Sequence, residues 1–145
     1  MEDSILTKIR AEHRLILGGL KLTADAGNDL RKELYQIVRN EIVQHMAGEE
    51  ASLYKNLEDL SSPYFHDHKI LKEYLQHLNL LDERTEEWFQ VFLKFKDLFM
   101  DHCLREERDL FREAKEDFSR EELEDMVSDF EEAHHAGNPY LIFFG

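Results

Sequence analysis

His45 and Glu49 stand four residues apart in the stretch HMAGEE, and His102 and Glu106 repeat that spacing in HCLREE. Imidazole nitrogens and carboxylate oxygens are donors that suit iron, manganese or zinc. Residues four apart on a helix differ by about 40° in direction, so each pair projects into one space and can grip one object. Two more histidines, His13 in AEHRLI and His68 in DHKIL, fall inside apolar stripes of helical period. A single histidine in such a stripe is usually a hydrogen-bonded core residue, and a single His-x-x-x-Glu is an ordinary i,i+4 pair. Four histidines and two glutamates together are another matter. Burying them uncompensated costs several kcal/mol per ion, no Lys or Arg shares their stripes, and a multivalent cation would neutralise them.

The two halves of the chain carry the same pattern. EHRLI at 12–16 lies over DHKIL at 67–71, and HMAGEEASLY at 45–54 lies over HCLREERDLF at 102–111. Each half is therefore expected to be a helical hairpin with one His on its first helix and a His-x-x-x-Glu pair on its second. Glu50 and Glu107 follow each pair by one residue and point about 100° away from it. They read as solvent-facing groups or as partners of a histidine N–H, not as ligands. His66, His77, His134 and His135 fall outside the repeat and read as surface residues, and Cys103 lies off the face of His102.

The elements that must position these residues are five helices. Asp3 or Ser4 caps the first, whose stripe Leu6, Ile9, Ile16 and Leu20 ends at Gly27 and Asn28. The second runs from about Asp29 to about Leu57, with Leu34, Val38, Ile42 and Leu53 on the face of His45 and Glu49. Ser62 caps the third, with Pro63 in its first turn, and Tyr64, His68, Leu71, Leu75 and Leu78 form its stripe. Asp82 or Thr85 starts a fourth that reaches about Phe118 along Trp88, Phe92, Phe95, Phe99, His102, Glu106 and Leu110. Ser119 and Glu122 make a capping box for a shorter fifth helix ending before Gly137. Short connections favour antiparallel neighbours. The expected fold is an all-α, up-down-up-down four-helix bundle of two similar hairpins over residues 1–118. The C-terminal helix and the apolar tail YLIFF, in 119–145, are expected to pack on the same domain. His13, His45 and His102 fall at compatible depths, while His68, only a turn and a half into its helix, is the outlier.

Composition narrows the function classes. The net charge is −14 and no Lys/Arg cluster tracks a phosphate backbone, which argues against nucleic acid and anionic membranes as partners. The start MEDSILTKIR lacks a signal-peptide pattern, no apolar run approaches a membrane span, and the single cysteine fits a reducing compartment. A cytoplasmic location is the expectation, with homodimerisation through the tail as one use for its greasy end.

With these motifs in place, the chain resembles the hemerythrin-like, HHE cation-binding domain family over roughly residues 5 to 115. The resemblance implies that His13, His45, Glu49, His68, His102 and Glu106 bind two iron ions, with Glu49 and Glu106 bridging them and an oxo or hydroxo bridge between. Zinc and manganese suit the same donors. It further implies a non-haem di-iron protein that binds or senses O2, NO, peroxide or iron availability. Whether it is also an enzyme is left open, because binding and turnover use the same residues. The alternative is a helical interaction module with a structural metal such as zinc. Ferritin-like bundles use Glu-x-x-His with additional Glu, the reverse of the order here. The oxygen carriers of the family take a second His from the third helix, one turn from the first. Here those positions are Tyr64 and Lys72, and Tyr64 reads as a core residue within reach of the metal.

Overall fold

Ser4 has extended backbone geometry and its hydroxyl accepts the Thr7 amide at 3.4 Å, so the first helix, α1 (Ile5–Asp25), begins where a side-chain oxygen can satisfy an orphan N–H. The second, α2 (residues 28–57), is α-helical over Asn28–Glu49, π-helical over Glu50–Tyr54 and α-helical again over Lys55–Leu57. A 3-10 turn, Glu58–Ser61, leads into α3 (Ser62–Leu80), with Pro63 in the first turn. Thr85 accepts the Trp88 amide at 3.2 Å and opens α4 (residues 86–117), in which a π-turn, Glu106–Leu110, separates Glu86–Arg105 from Phe111–Asp117. The Ser119 and Glu122 capping box forms in both directions, at 2.9 and 3.1 Å, before α5 (Arg120–Ala136). This computed structural model describes residues 4–136. The YLIFF tail, and with it the expected dimer contact, lies outside the described residues.

The architecture is all-α, with no strand among the described residues, and α1 to α4 alternate in direction as an up-down-up-down bundle. Its core has two apolar parts. One gathers Ile16, Leu20, Ile42, Leu75, Trp88 and Phe95 with their neighbours, and the other Ile5, Ile9, Leu53, Tyr54, Phe111 and Phe130 with theirs. On each of the four helices the polar residues sit between the two sets. Fully burying such a side chain contributes roughly 1.5–3 kcal/mol, so the polar layer is held between two stabilising blocks. The α2 face differs by one residue from the sequence reading. Tyr35, edge-on to Trp88 at 5.2 Å, is buried where Leu34 was expected.

The depths also agree better than the sequence indicated. α1 begins at Ile5 and α2 continues to Leu57, so His13 and Glu49 each lie about two turns from the same end of the bundle. α3 starts at that end, which puts His68 at its proper height after a turn and a half. The layer is displaced toward one end of the bundle, and His68 is no outlier.

The C-terminal helix α5 lies outside the four, against α1 and α2, through Leu123, Met126 and Phe130. Gly48 makes room for it. A Cβ there would stand 2.7 Å from the Phe130 ring, so a glycine is needed for the ring to pack on α2.

Candidate metal centre

The structure brings all six sequence-selected residues, His13, His45, Glu49, His68, His102 and Glu106, into one layer, each at most 1 % exposed. They form two groups of four whose ligand atoms lie within 4.8 Å of one another: His13, His45, Glu49 and Glu106, and Glu49, His68, His102 and Glu106. The two glutamates belong to both. Glu106 turns Oε1 toward His13 Nε2 at 3.1 Å and Oε2 toward His102 Nε2 at 3.5 Å. Glu49 places Oε1 3.0 Å from His68 Nε2 and Oε2 3.6 Å from His13 Nε2. Within each group the imidazoles are close neighbours, His13 and His45 at 4.9 Å between ring centres and His68 and His102 at 5.0 Å.

Every imidazole is oriented from behind by a carboxylate. Nδ1 of His13 lies 2.7 Å from Glu107, that of His45 2.9 Å from Glu12, that of His68 2.8 Å from Glu50 and that of His102 2.9 Å from Asp67. A carboxylate only accepts, so Nδ1–H is the donor and all four Nε2 atoms face inward. The carboxylates are held in turn by cations. Arg10 reaches Glu107 at 3.3 Å, Lys72 reaches Glu50 at 3.5 Å and Arg105 reaches Asp67 at 2.8 Å. Glu12 faces Lys8 at 4.0 Å and His134 at 3.4 Å. His134, read from the sequence as a surface residue, thus ties α5 to the back of His45.

Glu50 and Glu107 are histidine partners, one of the two roles their spacing left open. Glu12 and Asp67 were not singled out from sequence, although each precedes a repeated histidine. Cys103 is buried beside His13, where burial pushes its thiol up to about 12 although His13 works against it. Tyr64 is a core residue whose hydroxyl donates to the Arg105 carbonyl at 3.4 Å. Tyr54, which sequence reasoning passed over, reaches the ligand atoms instead. Its hydroxyl lies 3.1 Å from His68 Nε2, 3.4 Å from His102 Nε2 and 3.4 Å from Glu49 Oε1, and donates to Glu106 Oε2.

The electrostatics describe a cluster short of positive charge. Burial alone would strip the proton from His68, yet the hydrogen bonds it donates to Glu49 and Glu50 outweigh that and raise it to about 9. Burial likewise disfavours charge on His13 and His45, and the hydrogen bonds and carboxylates around them win. Burial and repulsion from Glu49 push the Glu106 carboxyl up. On the outside, the bond to His13 holds Glu107 below the usual carboxylate range, and His102 and Arg105 outweigh burial to do the same for Asp67.

A direct test of fit comes from the orphaned atoms. His13 Nε2, His45 Nε2, Glu49 Oε2 and Glu106 Oε1 are buried with no hydrogen-bond partner. Buried polar atoms without partners are rare, and each needs an explanation. Here all four belong to one group and point at one another, the donor set that a cation would satisfy.

The sequence matches the hemerythrin HHE cation binding domain over residues 4–114. No curated protein and no solved structure gives a significant match. The matched region spans most of the chain and contains all six inner residues, so the chain belongs to the hemerythrin HHE cation-binding family, a helical domain with a buried His/Glu cluster that fits a metal site.

Proposed function

Starting from that membership, we propose that this protein holds two iron ions in the bundle core and uses them to bind or sense a small ligand of the O2, NO or peroxide class. His13 and His45 would hold one ion and His68 and His102 the other, with Glu49 and Glu106 shared. The observation that carries the reading is that two four-residue groups share two carboxylates, with each glutamate reaching histidines of both groups. A carboxylate-linked pair of redox-active metals supplies electron exchange with a diatomic ligand when bound.

The chain's own contributions are positioning and exclusion of water. Glu107, Glu12, Glu50 and Asp67 fix the four imidazoles in the tautomer that turns Nε2 inward. The apolar blocks on either side keep bulk water from the layer. A surface cleft lined by Glu50, Ser61, Phe65, His68, Lys69 and Lys72 reaches the edge of the cluster at His68. Among the described residues no helix is long and apolar enough to cross a membrane.

The second reading is a structural metal, for example one zinc in an interaction module. Complete burial of all six side chains favours it, because a closed site suits a structural role. Metal analysis of protein purified without an affinity tag, with visible spectra before and after exposure to air and then azide, separates the two. About two irons per chain and a spectrum that responds to air and azide are expected. One zinc per chain with a silent spectrum overturns the di-iron reading in favour of the structural one.

A further inference from the structure

The two halves of the cluster are not equivalent. In the group formed by His13 and His45, the four inward atoms are all without partners. In the group formed by His68 and His102, the inward atoms His68 Nε2, His102 Nε2, Glu49 Oε1 and Glu106 Oε2 all converge on the hydroxyl of Tyr54. One position is an open set of two nitrogens and two oxygens. The other has a fifth protein atom, the phenolic oxygen, already among the same four atom types.

The internal repeat shows that this difference has a single origin. Tyr54 in HMAGEEASLY corresponds to Phe111 in HCLREERDLF. Both follow a shared glutamate by five residues, and both are reached through a π-turn, Glu50–Tyr54 in α2 and Glu106–Leu110 in α4. On a regular α-helix a residue five positions on points about 140° away. The extra residue in the π-turn brings it back toward the glutamate's face, and such turns recur at functional sites. Phe111 is buried beneath Arg10 with its ring 5.3 Å from the guanidinium, and has no donor to offer.

We propose that Tyr54 is a ligand to one metal only, the ion held by His68 and His102, and that the ion held by His13 and His45 has no phenol among its ligands. The inference rests on the di-iron reading above. The bond formed is from Tyr54 Oη to the metal, and the phenolic proton leaves to solvent with those the metal displaces from the imidazoles. A cation at this position reverses the local electrostatics that otherwise keep the phenol protonated. A phenolate is a hard anionic donor, so it favours a trivalent ion over a divalent one at its own position and makes the two ions chemically distinct.

The test compares the wild-type chain, Tyr54→Phe and Tyr64→Phe, each loaded with ferrous iron and oxidised in air. Iron content, the visible spectrum and resonance Raman spectra are recorded for each. Phe111 shows that a phenylalanine is accommodated at the repeat-related place, and circular dichroism checks that Tyr54→Phe is folded. The wild-type chain and Tyr64→Phe are expected to show a phenolate-to-iron band with coordinated tyrosine ring modes. Tyr54→Phe is expected to lose both while still holding two irons and still changing its spectrum with azide. Two irons in the wild-type chain with no tyrosine ring modes, or with modes that survive in Tyr54→Phe, overturn the proposal and leave the di-iron reading standing. A wild-type chain that takes up no iron overturns both. Should Tyr54→Phe not fold, the ring modes of the wild-type chain and of Tyr64→Phe decide the matter, since Tyr54 is the only tyrosine hydroxyl among the described residues within hydrogen-bond distance of the inner ligand atoms.

Discussion

Replacing Glu107 by glutamine should weaken one metal position and spare the other. Its Oε2 lies 2.7 Å from His13 Nδ1 and its Oε1 3.3 Å from Arg10, and His13 belongs to the first group of four alone. Glutamine keeps the shape and can still accept the Nδ1–H through its amide oxygen, so the fold should hold, but the negative charge that makes the imidazole a better donor is gone. Loss of such an outer partner typically costs 10–100-fold in metal affinity, or about 1.4 to 2.8 kcal/mol at one of two positions. The assay is chelator competition on the metal-loaded protein, counting ions released against free chelator. Glu107→Gln should give a biphasic curve in which one ion leaves at roughly ten- to a hundredfold lower chelator concentration than in the parent. Asp67→Asn, acting on His102 at 2.9 Å, should give the same curve with the other ion lost first. The Tyr54 band distinguishes the two, surviving the first release in Glu107→Gln and vanishing with it in Asp67→Asn. A uniform shift of both ions, or no shift in either variant, would refute the assignment of outer carboxylates to separate positions.

Gly48→Ala places a methyl 2.7 Å from a fully buried Phe130 ring, and overpacking of about 1–3 kcal/mol outweighs the gain of about 1 kcal/mol in helix propensity. Its melting temperature should fall by a few degrees with faster amide exchange in α5, and a rise would contradict the packing argument. Glu58 carries a positive φ of 50° in the turn between α2 and α3. Glu58→Gly should therefore stabilise by about 1 kcal/mol, read as a higher denaturant midpoint at unchanged slope. In metal-free protein the raised His68 contributes stability that is fully present below its unfolded value of 6.5 and is lost as pH rises through about 9, so thermal melts should weaken across that window. Metal binding runs the other way, because the ligand imidazole must be neutral: metal affinity should climb over the same range with proton release, measurable by calorimetry in buffers of different ionisation enthalpy.

The six inner residues were legible because their signal is a pattern of types at fixed spacing, written twice, and helical geometry converts that spacing into direction. The carboxylates behind them were legible only in part. Glu50 and Glu107 announced themselves beside the motif, whereas Glu12 and Asp67 precede a histidine of the same hairpin and serve the other histidine of that hairpin, His45 and His102. That pairing across helices depends on how α1 packs on α2 and α3 on α4. Acid-His dipeptides at both repeated places, EH at 12–13 and DH at 67–68, were the available cue. The depth of His68 is not legible in its own helix, because it follows from the layer lying near the end of the bundle at which α3 begins. Tyr54 was hidden for a different reason, since a regular helix points it away from Glu49 and no residue type in EASLY marks a π-turn.

The near-symmetry of the cluster limits where its function can reside. The pairing of His13 with Glu107 repeats in His68 with Glu50, and that of His45 with Glu12 repeats in His102 with Asp67, with basic partners behind the carboxylates on both sides. Two positions built from the same donors, oriented by the same type of partner and buried to the same degree would bind and react alike. A ligand would then have no reason to choose one of them. Against that background the exchange of one hydroxyl, present on Tyr54 and absent from Phe111, is large. It reaches the four inner atoms of one group, while the other group keeps four unpartnered atoms. Phe111→Tyr should move the cluster toward symmetry by bringing a second phenol to the open side. If the open position is what takes up the exogenous ligand, that variant should hold iron as well as the parent and lose most of its response to azide. An azide affinity equal to the parent's would mean that the choice between the two positions is made elsewhere in the layer.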